Sequence, residues 1–244
     1  MLMQMNLCLS GLADCYRTAA YPAVVREAVA LIRDERPDAV TFNEACRRDT
    51  ERIARRTGYH LRFSRVIYLG APLYCITPGG RGLFGDAVLT RAPIDASDDR
   101  AFEAQGGIEQ RRWLCVTTRR DVDVCTAHLS TRRTAASTAA NDAQCAELAA
   151  LLARHAAART VAFGGDVNRR RPCAPDGVWS RTDGSAQQSP GLQHVYGSGA
   201  LGSPSAKVLP ARHSDHDVLL VRAWRGPVVR WRHDDAGWLL RGQE

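Results

Sequence analysis

The chain has 244 residues, of which 45% are hydrophobic and 24% charged. This composition is ordinary for a globular protein and excludes a largely disordered one, and no apolar run approaches the length of a membrane-spanning helix. The 33 basic residues exceed the 26 acidic ones, and the formal charge of +7 attracts phosphate-bearing partners. Apolar segments are spread evenly without a linker, so we predict a single domain over residues 1–244 and expect a monomer.

The first predicted elements place an acid at the end of a strand. A strand is expected over residues 3–9 and a helix over 23–35, whose apolar residues recur with helical period before Pro37. A short buried strand over 39–42 then runs into Asn43 and Glu44. Loops at strand ends gather polar side chains into sites, so Glu44 is a candidate functional residue.

The middle of the chain alternates between helical and extended patterns. Residues 47–57 predict a helix that ends at Gly58, and 70–82 predict a surface loop. Residues 113–118 and 122–127 predict a hairpin that carries His128 at its end. The other predicted elements are strands over 59–68, 84–90 and 160–163 and a long alanine-rich helix over 138–159.

The last third of the chain is less regular. Residues 169–191, rich in Arg, Pro, Gly and Ser, predict an irregular loop at the rim of a site. A late strand is expected over 218–224. The C-terminal segment 225–244 predicts an additional hairpin, in which Trp231 and Trp238 serve as packing residues.

Cysteine usage bears on the compartment. The chain has eight cysteines and no CxxC pair that would indicate zinc. Disulfides explain the even count best and favour an oxidising compartment, although free buried cysteines are the alternative. Residues 1–9 read directly into a strand and not as a signal peptide. We therefore expect a secreted protein in its mature form, with a cytoplasmic protein as the alternative.

Polar residues recur at the ends of the predicted strands. Each would, alone, be interpreted as a solvated or hydrogen-bonded structural group. Their order along the chain is what carries information. In sequence they are Asn6 in MQMNLCLSG, Glu44 in TFNEAC, His128 in CTAHLS, Asp166 and Asn168 in GGDVN, and Asp215 and His216 in HSDHDV.

This series resembles the endonuclease/exonuclease/phosphatase superfamily, which includes the DNase I-like nucleases. The similar features are an Asn on the first strand, a Glu and a His at strand ends, a GDxN motif and a terminal SDH. FGDAVLTRAP at 84–93 and Arg112 before WLCV also resemble family segments. The resemblance spans roughly residues 6–221. It implies an α/β fold in which two packed mixed β-sheets lie between outer helices, a four-layer αββα sandwich with its active cleft at one end.

The resemblance implies hydrolysis of a phosphoester with a divalent cation. Hard oxygen ligands suit Mg²⁺, with Mn²⁺ or Ca²⁺ as alternatives, so Glu44 is the expected first metal ligand, and Asp215 or a neighbouring site residue would assist it. Asp166 and Asn168 lie two residues apart on an extended segment, so their side chains point to the same side. By the resemblance they would hold the attacking water and the phosphate.

Two histidines complete the expected site. His216 would be the base or the partner that polarises the phosphate, and His128 a donor to the phosphate or leaving group. Asn6 would hydrogen-bond Glu44 or the phosphate. Arg112 is a candidate phosphate contact, with a surface charge as the alternative. His213 is interpreted as a rim residue, and the role of His194 stays open.

The sequence departs from the family pattern at two positions. Family members usually carry an Asp that orients the terminal histidine, whereas this chain has Gln193 at that place. An amide cannot stabilise an imidazolium by charge, so we expect the basicity of His216 to fall. Asp86 replaces the usual Asn of the GNA segment. It adds an acid near the phosphate path or is a loop variant.

The leading functional prediction is a phosphodiesterase or endonuclease acting on DNA or RNA. Arg169 opens the run 169–171, which would grip backbone phosphates, with a solvated loop as the alternative. Because arginine also accumulates in high-GC genomes, charge alone does not select nucleic acid. A phosphomonoesterase, a sphingomyelinase-like phospholipid hydrolase and a catalytically weakened phosphate-binding protein stay open as alternatives.

Overall fold

The structure of the protein is a computed structural model that describes residues 1–12, 21–225, 232–234 and 237–239, with backbone only at 203 and beyond 224. Within these residues the helices are α1 (Ala23–Glu35), α2 (Arg47–Thr57) and α3 (Ala135–Ala158). The strands are β1 (Leu2–Asn6), β2 (Ala39–Cys46), β3 (His60–Arg65), β4 (Ile67–Tyr68), β5 (Ala71–Pro72), β6 (Phe84–Thr90), β7 (Ile94–Ala101), β8 (Glu109–Gln110), β9 (Arg112–Thr118), β10 (Val122–Ala127), β11 (Thr160–Asp166), β12 (Val178–Thr182), β13 (Gln193–Ser198), β14 (Leu201–Leu209), β15 (Val218–Arg225), β16 (Arg232–Asp234) and β17 (Gly237–Leu239).

Two six-stranded sheets form the body of the fold. The first has the order β14-β15-β1-β2-β6-β3 and the second β12-β13-β11-β10-β9-β7. In the first sheet β1 and β2 are parallel, and in the second β10 and β11 are parallel, while the other pairs of both sheets are antiparallel. Both sheets are therefore mixed, as predicted. The carboxyl ends of these four central strands carry the polar residues singled out in the sequence.

The apolar core has three layers. One cluster packs α1 and α2 against the first sheet, a second fills the space between the sheets, and a third packs α3 against the second sheet. The inner faces contribute β-branched residues such as Val88, Val116 and Val124, each at most 3% exposed. This arrangement confirms the predicted αββα sandwich.

Local sequence signals explain the helix boundaries. The buried face of α1 is formed by Val25, Ala28, Val29 and Ile32, which recur with the period of a helix. Helix α2 ends at Gly58, whose φ of 78° is the left-handed conformation that glycine adopts without strain. These two helices have the predicted boundaries. Helix α3 begins at residue 135, three residues earlier than predicted, after a capping box at its N-terminus.

The irregular regions contain more strand than the sequence indicated. The segment 169–191 was predicted to be wholly irregular, but it contains β12, which pairs with β13. Strand β7 was not predicted because its residues are largely exposed and acidic, so no apolar alternation marks it. In the C-terminal segment β16 pairs antiparallel with β17, inside the range predicted for a hairpin. Trp231 and the side chain of Trp238 lie outside the described residues.

Disulfides tie the loops to the sheets. Within the described residues the bonds are Cys46–Cys75, Cys115–Cys125 and Cys145–Cys173. Cys8 is disulfide-bonded as well. The prediction of disulfides over free thiols is therefore confirmed for these seven cysteines, whereas Cys15 lies outside the described residues. Among the described helices, none has the length and apolarity that crossing a bilayer requires.

Candidate active site

A buried polar layer lies between the two sheets, directly beneath the strand ends. At its centre Asn43 is fully buried, and its side-chain oxygen accepts hydrogen bonds from Gln4 Nε2 at 2.8 Å and from the backbone N–H of Asp166 at 2.7 Å. Its amide nitrogen donates to Asp86 Oδ1 at 2.9 Å and lies 3.5 Å from Thr126 Oγ1. One amide thereby connects strands of both sheets. It sets the spacing of the site above it.

Glu44 enters the site through a distortion of β2. The register of β2 against β6 shifts between Phe42 and Ala45, so β2 carries one extra residue at this point. Glu44 itself has a φ of 54°, a left-handed conformation that costs a non-glycine residue on the order of 1–3 kcal/mol. The bulge turns the carboxylate toward the end of the sandwich, where 18% of the side chain remains exposed.

Asn6 joins the two sheets at the floor of the cleft. Its Nδ2 donates to Glu44 Oε1 at 3.0 Å and to Asp166 Oδ2 at 3.1 Å. The side-chain oxygen accepts the backbone N–H of Cys8 at 3.0 Å, which fixes the orientation of the amide. Of the two partners predicted for Asn6, the structure places it on the glutamate.

His128 follows β10 and faces the same two carboxylates. Its Nε2 lies 3.8 Å from Glu44 Oε1 and 3.8 Å from Asp166 Oδ2. Burial lowers the pKa of His128 to about 3, and the positive charges of Arg111 and His216 lower it further, against the opposing charge of Asp166. His128 is therefore a neutral imidazole at physiological pH, able to donate one hydrogen bond.

The terminal SDHD motif divides into anchors and site residues. Ser214 Oγ donates to the carbonyl of Asn6 at 2.7 Å and holds the loop against β1, and Asp217 accepts the backbone N–H of Ala211 at 3.1 Å, which closes the loop on itself. Between them, His216 Nε2 lies 3.4 Å from Asp166 Oδ2. The motif thus presents Asp215 and His216 to the cleft.

His216 and Asp166 form a charged pair. Burial opposes the charge of His216, but the carboxylates of Asp166, Asp215, Glu44 and Asp183 together raise its pKa above the ordinary value. Burial likewise opposes ionisation of Asp166, yet the two histidines and two hydrogen bonds to its carboxylate lower its pKa. The raised pKa of His216 and the lowered pKa of Asp166 both favour a pair of opposite charges.

The acidic side of the cluster is short of positive charge. Burial raises the pKa of Glu44 to about 7, although Asn6 opposes the shift; the neighbouring charges of Asp215 and Asp166 raise it further. Asp215 Oδ1 is buried without a hydrogen-bond partner among the described residues. A buried carboxylate is stabilised by a cation, and oxygen ligands of this kind fit Mg²⁺ or a similar hard ion. The residues present therefore fit a divalent metal ligated by Glu44 and Asp215.

Asn168 and Arg169 lie on the loop after β11. Asn168 has a φ of 52°, and its side chain donates to the carbonyl of Leu129 at 2.9 Å, which holds this loop to the one that follows β10. Arg169 Nη1 pairs with Asp142 at 2.8 Å, and Arg132 reaches the same carboxylate at 2.6 Å. Asn168 contacts the cluster through its backbone N–H, which donates to Asp166 Oδ1 at 2.9 Å, whereas Arg169 binds Asp142 in the first half of α3 and leaves 15% of its side chain exposed.

The structure places Arg111, and not Arg112, beside the cluster. Arg112 Nη2 pairs with Asp99 at 2.6 Å on the neighbouring strand, so it is not brought to the cleft as predicted. Arg111 is 9% exposed and its positive charge acts on His128 and Asp86. The two arginines are consecutive at the start of β9, where side chains alternate between faces, and sequence alone does not decide which one turns inward.

Comparison with known proteins matches this arrangement. The sequence model of the Endonuclease/Exonuclease/phosphatase family matches residues 8–216, most of the chain. The chain belongs to this family. A comparison with curated protein sequences gives no significant match.

Solved structures similar to this family member share its fold at low identity. A truncated TDP2 from Caenorhabditis elegans is 19% identical with a TM-score of 0.62, and the match covers 89% of this chain and 94% of that one. D. rerio TDP2 complexed with a single-strand DNA product is 14% identical, with coverages of 89% and 96% and a TM-score of 0.60. The mannosyl-6-phosphatase Bt3783 of Bacteroides thetaiotaomicron is 13% identical, with coverages of 91% and 98% and a TM-score of 0.63.

The departure at Gln193 has a different consequence from the one predicted. Its amide nitrogen donates to Asp183 Oδ2 at 3.3 Å and to the carbonyl of Asp217, and not to His216, whose Nδ1 is buried without a partner among the described residues. The prediction that His216 would lose basicity is wrong, because four carboxylates raise its pKa. One of them is Asp183, a fully buried residue after β12 that the sequence did not single out.

The structure also places three residues whose roles the sequence left open or did not cover. His194 is fully buried, with Nδ1 2.8 Å from the hydroxyl of Tyr196, so its role in this family member is in the core. Asp86 is 5% exposed within the polar layer and is not a loop variant. Asn141 in α3 donates to the carbonyls of Ser130 and Val167 at 2.7 and 2.9 Å and supports the loops after β10 and β11. An asparagine inside an alanine-rich helix, where it is a poor helix former, was the sequence signal that could have identified Asn141.

Proposed function

We propose that the chain is a divalent-metal-dependent phosphodiesterase, an endonuclease that hydrolyses DNA or RNA, with Mg²⁺ as the cation. The observation that carries the proposal is the convergence of Glu44, Asp166, Asp215, His128 and His216 on one end of the sandwich. The family name joins nucleases with phosphatases, and both reactions are hydrolyses of phosphoester bonds. Simple phosphate binding would not require this combination of ionised acid, imidazolium and neutral imidazole.

Each group has a role that fits its protonation state. Glu44 and Asp215 would hold the cation, which supplies charge neutralisation on the phosphate and a more acidic water. Asp166 is ionised and accepts the proton of the attacking water, while the amide of Asn168 holds the phosphate. Asn6 keeps Glu44 and Asp166 at a fixed separation through its two hydrogen bonds.

The histidines act on the phosphate. The raised pKa of His216 favours its charged form, which would donate to a nonbridging oxygen and stabilise the charge that develops there in the transition state. His128, neutral at the same pH, donates a single N–H to the phosphate or leaving oxygen. Of the two roles predicted for His216, the raised pKa favours the polarising partner over the general base.

Several exposed arginines favour a polynucleotide over a small ester. Arg133, Arg170, Arg171 and Arg212 are exposed on the loops that follow β10, β11 and β14. Phosphates flanking the scissile bond would bind such side chains and release counterions. D. rerio TDP2 bound to a single-strand DNA product is a structural relative consistent with this choice. The disulfides favour a secreted enzyme.

The substrate class is tested with four substrates: plasmid DNA, bis-p-nitrophenyl phosphate, p-nitrophenyl phosphate and sphingomyelin vesicles, each with Mg²⁺ or EDTA. The proposal expects Mg²⁺-dependent cleavage of the two diesters. Turnover of p-nitrophenyl phosphate alone would replace it with a phosphomonoesterase, the class to which the mannosyl-6-phosphatase of B. thetaiotaomicron belongs by its name. Turnover of sphingomyelin alone would replace it with a phospholipid hydrolase, and absence of all four reactions would contradict hydrolysis.

A further inference from the structure

A second basic surface lies beside the cleft, on the side away from the arginine-rich loops. It is a groove of about 560 Å³ at the edge shared by the two sheets, bounded by α2, β3, the start of β6, β7 and β9. Its volume falls in the range of roughly 300–1,000 Å³ that is typical of ligand sites. We call it the edge groove. Its lining residues are Arg47, Glu51, Leu61, Arg62, Phe63, Arg65, Leu83, Asp99 and Arg112.

The edge groove is positively charged, with four arginines against two acids. Arg47 pairs with Glu51 at 3.1 Å, and Arg112 pairs with Asp99. Arg62 is different, because no carboxylate of the described residues lies within ion-pair distance of it, and the same holds for Arg65. Both side chains are exposed, so their charges are available to an anion.

Apolar side chains lie among these charges. Leu61, Phe63 and Arg65 lie on one face of β3 and Arg62 on the other. Leu61 and Phe63 pack against the core beneath α2, and both are only partly buried and line the groove. A phosphate-binding surface for small anions needs no apolar element. Aromatic side chains interleaved with arginines are the combination that binds single-stranded nucleic acid, since bases stack on the ring and phosphates pair with the cations.

Two residues of the edge groove are neighbours, in strand register or in sequence, of residues that lie at the cleft. Arg65 pairs in register with Gly85, the residue before Asp86 of the polar layer. Arg112 is the residue after Arg111, which lies beside His128 in the cleft. These neighbours place the groove near the cleft, on the path of a strand that continues past the scissile phosphate in this direction.

We infer that the edge groove binds the phosphates and a base of a single-stranded nucleic acid that continues past the scissile phosphate, opposite the arginine-rich loops. The inference rests on the proposed function and specifies it further. A substrate held on both sides of the cleaved bond is a polynucleotide cut internally. Arg62 and Arg65 supply the charge, and Phe63 the stacking surface.

The test measures binding of a fluorescent 20-nucleotide single-stranded DNA by anisotropy in EDTA, where hydrolysis does not interfere. The test variant is Arg62→Glu with Arg65→Glu. The matched control is Arg26→Glu with Arg154→Glu, which changes the net charge equally at exposed positions of α1 and α3 outside the groove. Melting temperatures confirm that both variants fold, and Phe63→Leu tests stacking without a change of charge.

We expect the groove variant to raise the Kd by at least about tenfold and to lower the slope of log Kd against log salt by about 1.4, since each single-strand phosphate contact contributes roughly 0.7. The control should change the Kd much less. An equal rise of Kd in the groove variant and in the control would overturn the inference. The proposed function would still stand if the unmodified protein hydrolyses bis-p-nitrophenyl phosphate. Loss of binding confined to the groove variant, in a protein that hydrolyses no diester, would support the groove and contradict the proposed function.

Discussion

Replacing Asn43 with alanine should destabilise the protein and distort the site together. The side chain lies at the centre of the polar layer, fully buried, and its oxygen accepts from the backbone N–H of Asp166 while its nitrogen donates to Asp86. Alanine leaves both groups buried without these partners. Gln4 keeps a second acceptor in Gln193 at 3.3 Å, so its loss is smaller.

The expected loss of stability follows from these contacts. A buried donor or acceptor that loses its partner costs about 1–3 kcal/mol, and a charged group costs more. Two such groups give about 3–5 kcal/mol, a large part of the roughly 5–15 kcal/mol that holds a typical domain together. Because the backbone N–H of Asp166 loses its hydrogen bond to residue 43, the rate of diester hydrolysis should fall even in variant protein that is folded.

Urea unfolding of the metal-free protein at pH 7 measures this loss. Thr50→Ala is a control, since that residue is also fully buried but, among the described residues, its hydroxyl bonds only the carbonyl of Arg47 within α2. Loss of less than about 1 kcal/mol in Asn43→Ala would refute the reasoning. It would mean that water or a shift of the sheets replaces the amide.

Three further results are expected. Burial raises the pKa of Asp86 from 3.8 to about 7, so its ionisation opposes folding and the metal-free protein loses stability as pH rises from 4 to 7. Asp86→Asn should remove up to about 4 kcal/mol of this loss, so that its melting temperature exceeds that of the parent at pH 8 and equals it near pH 4. Identical pH profiles of the two proteins would contradict this prediction. Mg²⁺ at a hundred times its Kd should stabilise the parent by about 2.7 kcal/mol in thermal melts, whereas Glu44→Gln should show little shift, and an equal shift would place the cation elsewhere. Replacing Cys145 and Cys173 with alanine should lower the free energy of unfolding in urea by about 3–4 kcal/mol, because their bond closes a loop across 28 positions. An unchanged midpoint of the urea transition would show that the bond constrains the unfolded chain little.

Much of the fold could be predicted because its elements carry strong local signals. The boundaries of α1 and α2 follow from a buried helical face and a left-handed glycine, and both are visible in the sequence. Strand β7 could not be predicted, since an exposed edge strand has no apolar period and its pairing with β9 depends on tertiary contacts. The same is true of β12, which is only partly buried throughout.

The site was predictable to the extent that its residues end central strands. Glu44, His128 and Asp166 lie where parallel neighbours bring their ends together, and the structure places them within hydrogen-bonding or ion-pair reach of Asn6 or one another. The choice between Arg111 and Arg112 was not predictable, because consecutive residues on a strand face opposite sides and the register is set elsewhere in the sheet.

Asp183 shows a second limit. It lies ten residues before Gln193 in the chain, in a segment that reads as an irregular loop, and only the pairing of β12 with β13 brings its carboxylate to the amide. The sequence identified the missing acid at 193 but not the buried acid beside it. The negative charge near His216 therefore depends on how the strands pair in the folded protein.

The measurement that tests the central claim most directly is the rate of bis-p-nitrophenyl phosphate hydrolysis as Mg²⁺ is added, in the parent protein and in His216→Ala. The proposed site predicts a saturable, EDTA-reversible rate in the parent and a loss of at least about a hundredfold in kcat for the variant, since one transition-state donor is worth about 10²–10³. A rate that does not depend on Mg²⁺, or that is unchanged in His216→Ala, would contradict the assignment of this cluster as a metal-dependent phosphodiesterase centre.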